Sequence, residues 1–256
     1  GSDAGGMETT ARREGDYYII NGEKYWISNG DKASYVRLFA ITNPEVSPHQ
    51  GMSSFIVDPK TPGYHMVRHI PTWGFHGHVV SHLRFEDMKV PVENLIGQEN
   101  EGWEVLTGDL VLERITAATR ALGGARRAFE EAVKYSSTRE QFGRKIRSFQ
   151  GTSFKIADMK VDLDAARLLL LRAFRKYERG EDALLDASVA KLFTSEAAFR
   201  IADNAVQIHG ANGFAVDSVV GRIFRDVRGT RIGVGTSEVQ RHIIQRQIYK
   251  DFGYVK

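Results

Sequence analysis

Proline is confined to one stretch of this 256-residue chain. All six prolines lie between Pro44 and Pro91, and the 165 residues that follow have none. Proline locks φ, lacks an amide hydrogen and breaks helices, so long helices are excluded where it recurs and permitted where it is absent. The proline-bearing half reads as short strands. Tyr17–Ile20 runs into Asn21-Gly22, a hairpin turn signal, and Lys24–Ser28 resumes as a strand. Tyr35–Ile41, Ser53–Val57 and Val79–Phe85 are further strands, with Pro59 and Pro62-Gly63 closing one strand and starting the next.

From Glu101 the hydrophobic period becomes helical. Val111, Ile115, Ala118, Leu122, Ala125, Phe129 and Val133 form one stripe with steps of three and four. Phe154, Ala157, Val161, Leu168 and Leu171 form a second, and Ala187, Ala190, Thr194, Ala197, Ile201, Ala205 and Ile208 a third. A fourth helix is expected from Thr236 or Ser237, with Ser237 and Gln240 spaced as a capping box. The predicted class is α+β: a small antiparallel β-barrel or sandwich over residues 1–98, followed by an antiparallel four-helix bundle over 99–256.

Composition narrows the function classes. The net charge of +3 comes from 35 basic and 32 acidic side chains that are interleaved, which gives no basic face for nucleic acid. No apolar run reaches the roughly 18–20 residues of a membrane span. The absence of cysteine removes disulfides, thiol catalysis and cysteine-based zinc sites.

Few residues stand out as chemical on their own. Glu113 lies between Leu110 and Ala117 on a weaker stripe of small and apolar residues, Leu106, Leu110, Ala117, Ala121 and Gly124. Partial burial there would raise its pKa and suit a general base, whereas pairing with Arg114 or Arg120 would make it an ordinary surface carboxylate. Five of the eight histidines fall between His65 and His82, but Pro71 and Gly74 interrupt the segment, and no metal site is expected. Gly233-Val234-Gly235-Thr236-Ser237 before the last helix offers consecutive amides suited to an anion. Neither a phosphate-binding P-loop nor a dinucleotide fingerprint occurs.

Several segments together resemble the acyl-CoA dehydrogenase family. Gly1-Ser2-Asp3 resembles the end of its Thr-Glu-Pro-Gly-x-Gly-Ser-Asp segment, and Tyr18–Gly30 its flavin-contacting hairpin. Phe85–Pro91 resembles the exit of its β-domain. Arg139–Gly143, Gln207–Gly213 and Gly235–Arg241 resemble its later motifs, all in family order. On this resemblance the family's leading helical domain and first β-strand would precede residue 1, which makes the chain a fragment or a truncation.

The resemblance implies FAD-dependent α,β-dehydrogenation of an acyl-CoA thioester. The usual family base, a Glu just before Gly-Thr-Ser, is replaced here by Val234. The branch similar to isovaleryl- and long-chain acyl-CoA dehydrogenases carries its base on the first bundle helix, and Glu113 matches that position. By the same matching, Trp26, Ile27, Ser28, Arg139, Gln141, Phe142, Gln207, Gly210, Thr236, Ser237 and Glu238 would contact FAD. Ser2, Arg114 and Gly235 would lie on the substrate side. The implied partners are the acyl-CoA, an electron-transfer flavoprotein, and further copies of the chain in a dimer of dimers. The implied compartment is the cytoplasm of a bacterium or the mitochondrial matrix of a eukaryote. Two other readings share this fold: an oxygen-using, monooxygenase-type flavoenzyme with no need for Glu113, and an inactive interaction module.

Overall fold

The computed structural model describes residues 1–255, which divide into two compact units, with the division between residues 109 and 110. The first unit carries strands β1 (Thr10–Glu14), β2 (Tyr17–Ser28), β3 (Val36–Ile41), β4 (Met52–Val57), β5 (Tyr64–His69), β6 (Val80–Pro91) and β7 (Leu95–Ile96). A short helix, α1 (Pro48–Gly51), precedes β4. The strands form one sheet in the order β5-β6-β2-β1-β3-β4-β7. Every pairing is antiparallel except the brief parallel contact of β1 with β3.

The sheet curls on itself. β2 and β4 stand three places apart in the order, about 14 Å in a flat sheet. Yet the Tyr18 ring of β2 meets the Phe55 ring of β4 edge-on with centroids 4.8 Å apart. Tyr18, Ile20, Leu38, Ala40, Phe55, Val57, Leu83, Phe85, Met88 and Val90 form the core inside that curl.

The hairpin expected at Asn21-Gly22 lies elsewhere. The turn is Gly15-Asp16, with Glu14 opposite Tyr17 and Gly15 at φ +59°. Asn21-Gly22 falls inside the 12-residue strand β2, where the pairing with β6 slips between Ile20 and Gly22. It makes a bulge rather than a reversal. Gly22 is required there, because a Cβ would come within 2.7 Å of the Thr9 Cα. Asn21 instead bridges to Asp87, donating to its carboxylate at 3.1 Å and accepting its amide at 2.8 Å.

The long helix α2 (Gly102–Thr138) begins in the first unit and continues through the second. A small hairpin, β8 (Glu140–Gln141) and β9 (Arg144–Lys145), follows it. Helices α3 (Gln150–Glu178), α4 (Leu184–His209), α5 (Ala211–Phe214), α6 (Val219–Thr230) and α7 (Ser237–Asp251) complete the chain. The third expected stripe faces inward throughout, and the first does so except at its end: Ile115, Ala118 and Ala125 of α2 and the whole α4 series are buried, while Val133 is exposed. Ala121, Ala125, Ala128 and Ala132 of α2 share a core with Ala198, Ile201, Ala202 and Ala205 of α4. Such small side chains let helix axes approach to about 8 Å.

The second stripe is reversed. Phe154, Val161 and Leu168 are 61–69% exposed, and the buried side of α3 is Met159, Ala166, Leu170 and Ala173. Both faces of this helix are apolar, so periodicity alone selects the wrong one. Helix α6 joins the four expected helices. It is capped by the Ser218 hydroxyl, 3.3 Å from the Gly221 amide, and buries Val220, Ile223 and Val227.

Candidate active site

Each unit brings part of the sequence-derived set together. In the first, a cavity of about 520 Å³ is bordered by Gly1, Asp3, Tyr25, Trp26, Ile27, Arg37 and Leu106. Trp26 stands at φ +62° where β2 bulges a second time, and its indole is 67% exposed. A bulky residue in the left-handed region is strained, and such strain collects at functional sites. Lys24 borders the same cavity, and burial lowers its pKa to about 8. Ser28 contacts the His78 ring at 3.1 Å. Ser2 is exposed and does not border the cavity, although Gly1 and Asp3 do.

His65, His69 and His82 have separate partners rather than a common focus. His65 faces Glu86 at 3.4 Å, His69 faces Asp31 at 2.9 Å, and buried His82 faces Glu23 at 2.7 Å while stacking on Tyr25. His76 and His78 lie in the loop between β5 and β6. Glu23, held by Arg84 and His82, has its pKa pulled below the ordinary carboxylate range.

In the second unit a pocket of about 310 Å³ gathers Arg139, Gln141, Gln207 and Gly210 from two separate stretches of chain. Tyr135, His209 and Asn212 also border it, and sequence reading passes over them as site residues. Tyr135 stacks on His209 at 4.3 Å and accepts from the Asn212 amide at 3.0 Å. The His209 Nδ1 lies 2.7 Å from the Ala205 carbonyl, which anchors the ring at the end of α4. Phe142 and Gly143 form the two-residue turn of the β8–β9 hairpin, both at positive φ. Phe142 is 93% exposed at the tip.

The start of α7 differs from the expected capping box. Thr236 is the cap, its hydroxyl accepting the Val239 amide at 3.3 Å. Ser237 instead donates to Glu196 at 2.6 Å, and Gln240 turns back to the carbonyls of Val234 and Gly235. Burial pushes the Glu196 pKa up, but the Ser237 hydroxyl and Arg231 outweigh it and hold the carboxyl below its ordinary value. Glu238 is exposed, and its pKa is lowered by its own backbone amide and then by the Thr236 hydroxyl.

Glu113 and Arg114, neighbours on α2, have opposite environments. Glu113 is exposed, so the partial burial expected on its stripe is not supplied by the described residues. Arg114 is 6% exposed, and that burial lowers its pKa while the Glu113 carboxylate opposes the shift.

Residues 1–88 match the acyl-CoA dehydrogenase middle domain, and residues 100–249 match the acyl-CoA dehydrogenase C-terminal domain. The chain belongs to the acyl-CoA dehydrogenase family. An acyl-CoA dehydrogenase of Bacillus subtilis is 42% identical over 97% of this chain and 65% of its own length. The butyryl-CoA dehydrogenase structure from Megasphaera elsdenii superposes with a TM-score of 0.94 at 38% identity, over 97% of this chain and 65% of that one. A chain in the structure of the electron transferring flavoprotein of Acidaminococcus fermentans superposes with a TM-score of 0.96 at 39% identity, covering 98% and 66%. The chain therefore spans just under two thirds of the length of these relatives.

Proposed function

We propose that this chain forms the flavin- and acyl-binding portion of an FAD-dependent acyl-CoA dehydrogenase, with Glu113 as the base that takes the α-proton. The observation carrying this reading is the pocket of Arg139, Gln141, Gln207 and Gly210. A guanidinium and two amides converging beside a glycine at φ +57° fit an anionic, hydrogen-bonding group such as the FAD diphosphate. Trp26, Ile27 and Ser28 would hold the flavin ring, Phe142 would reach the cofactor from its hairpin tip, and Thr236, Ser237 and Glu238 would hold it at the start of α7. When bound, FAD supplies a two-electron acceptor for the hydride leaving the β-carbon.

Val234 presents only hydrocarbon at the family's usual base position and cannot take a proton. Glu113 offers a carboxylate on α2 with Arg114 next to it, and a bound thioester that displaces water from Glu113 would raise its proton affinity. The α-proton becomes acidic enough for a carboxylate only when the thioester oxygen accepts hydrogen bonds, a role for the amides around Val234 and Gly235. Ser2, Arg114 and Gly235 complete the substrate side. The functional division stays at 1–98 and 99–256. The outward apolar face of α3 supports assembly with further copies, in keeping with a dimer of dimers. An electron-transfer flavoprotein is the proposed electron acceptor. The compartment would be the cytoplasm of a bacterium or the mitochondrial matrix of a eukaryote.

The test is Glu113→Gln in the protein that carries this chain, with anaerobic acyl-CoA addition followed by flavin absorbance. FAD should stay bound while substrate-dependent bleaching slows by about 10²–10⁴. Undiminished bleaching removes Glu113 from the mechanism. Val234 is also compatible with the oxygen-using reading, and rapid reoxidation of reduced flavin by oxygen with no dependence on Glu113 would favour it.

A further inference from the structure

A lysine lies on the buried face of α4. Lys191 shares that face with Ala187, Ala190 and Thr194 and has no exposed surface. A charge so placed is strongly disfavoured without an acceptor. Its acceptor is the Gly235 carbonyl, 2.6 Å from Nζ and 44 residues away in sequence. Gln240 of α7, equally buried, donates to the same carbonyl and to that of Val234, both at 3.1 Å. Two buried donors from two helices thus draw the oxygens of two consecutive peptide planes inward.

The backbone between them resists this arrangement. Val234 stands at φ +57° and Gly235 at φ +84°. The left-handed region is open to glycine but places a β-branched side chain in steric conflict, so it persists only where the surroundings over-determine it. A Cβ on Gly235 would lie 2.7 Å from the Gln240 amide nitrogen, so glycine is needed for that donor to approach. In a trans peptide the N–H points opposite to the C=O. Pulling the Val234 and Gly235 oxygens inward therefore turns the Gly235 and Thr236 N–H groups the other way. Glu196, also on α4, secures the flanks, accepting from Ser237 at 2.6 Å and pairing with Arg231 at 2.9 Å.

We infer that Lys191 is a positioning residue which, with Gln240, locks the Val234–Gly235 turn and so fixes the direction in which its amides are presented. What those amides bind rests on the dehydrogenase reading above, but the lock itself does not. Burial lowers the Lys191 pKa to about 8. The charged groups facing it are Glu196 on its own helix, Arg114 from α2 and Glu238 from α7.

The experiment uses the whole chain without cofactor, labelled with carbonyl-¹³C glycine and ¹⁵N threonine. The sequence contains three Gly-Thr pairs, at 151–152, 229–230 and 235–236, so a carbonyl–amide correlation spectrum has three peaks, two of them internal controls. In Lys191→Met the 235–236 carbonyl should move upfield by more than either control. In the unaltered chain the same peak should titrate upfield with a midpoint near pH 8, and Lys191→Met should abolish that titration. Lys191→Gln should return part of the shift by restoring a donor. A 235–236 peak that stays still, or three peaks moving together, overturns the inference. If Lys191→Met does not fold, the titration of the unaltered chain and Gln240→Met read on the same peak decide the matter. None of these measurements involves flavin or thioester, so failure of the lock and failure of the dehydrogenase reading are distinguishable.

Discussion

Replacing Phe55 and Tyr18 singly and together tests whether the curled sheet holds the first unit together. Both side chains are essentially inaccessible, at 0% and 1% exposure, and their rings meet edge-on at 4.8 Å. Phe55→Leu and Tyr18→Leu should each cost about 2 kcal/mol, part from lost transfer energy and part from the space left behind. An edge-on aromatic pair is worth ~0.5–1.5 kcal/mol beyond area, so the double variant should lose that much less than the sum of the singles. The Tyr18 phenol also contacts Glu99, a term that cancels in the cycle. Trp26, Trp73 and Trp103 all lie within residues 1–109, so tryptophan fluorescence during urea unfolding reports this unit separately. With a slope of about 2 kcal/mol per molar urea, each single change should lower the midpoint by roughly 1 M. A coupling below about 0.3 kcal/mol, the level of independent sites, refutes the curl.

Other expectations follow from the same reasoning. Lys191 has a pKa near 8 when folded against 10.5 as its ordinary value, so between these values the folded chain binds fewer protons than the unfolded one. Stability should therefore rise from pH 8 towards 10.5 by about 3 kcal/mol through this group, and be lost again as pH falls. Urea melts followed by circular dichroism at pH 7.5 and 9.5 should show that rise shrinking in Lys191→Met, and equal slopes in the two proteins would contradict it. Gly51→Ala places a Cβ against the Asn43 carbonyl oxygen and should destabilise the first unit by about 1–3 kcal/mol in the fluorescence assay. An unchanged midpoint would mean the loop yields freely. Phe142→Gly removes a bulky residue from the left-handed region, so stability should hold or rise by up to about 1 kcal/mol while FAD affinity falls. A loss of stability would show that the phenyl ring is part of the core.

What could be read in the sequence depended on whether one local signal governed each element. The α4 stripe was legible because every third or fourth residue is small or apolar and all of them are buried. Helix α3 was legible as a helix but not in orientation, since Phe154, Val161 and Leu168 compete with Met159, Leu170 and Ala173 for the inside. Asn21-Gly22 failed as a turn because pairing with β6 on the other edge of β2 outweighs a local preference. Within the site, motif order identified Arg139, Gln141 and Gln207, which the fold does gather. Lys191 was missed, although its step of four from Ala187 and three to Thr194 puts it on a face otherwise meant for alanine. The exposure of Glu113 was not legible at all, because it depends on what else covers that side of α2.

The alanine seam of the bundle leaves it open to an uncommon kind of damage. Ala121, Ala125, Ala128, Ala132, Ala198, Ala202 and Ala205 are all at most 2% exposed. Most cores are harmed chiefly by truncation, but alanine has almost nothing to truncate. One base change in an alanine codon reaches valine, threonine, serine, proline, glycine, aspartate or glutamate. Nearly all of these are bulkier, polar or helix-breaking, and overpacking alone costs about 1–3 kcal/mol. Random mutation at this seam therefore wedges the helices apart instead of hollowing them, and a compensating change would have to remove volume from the facing helix.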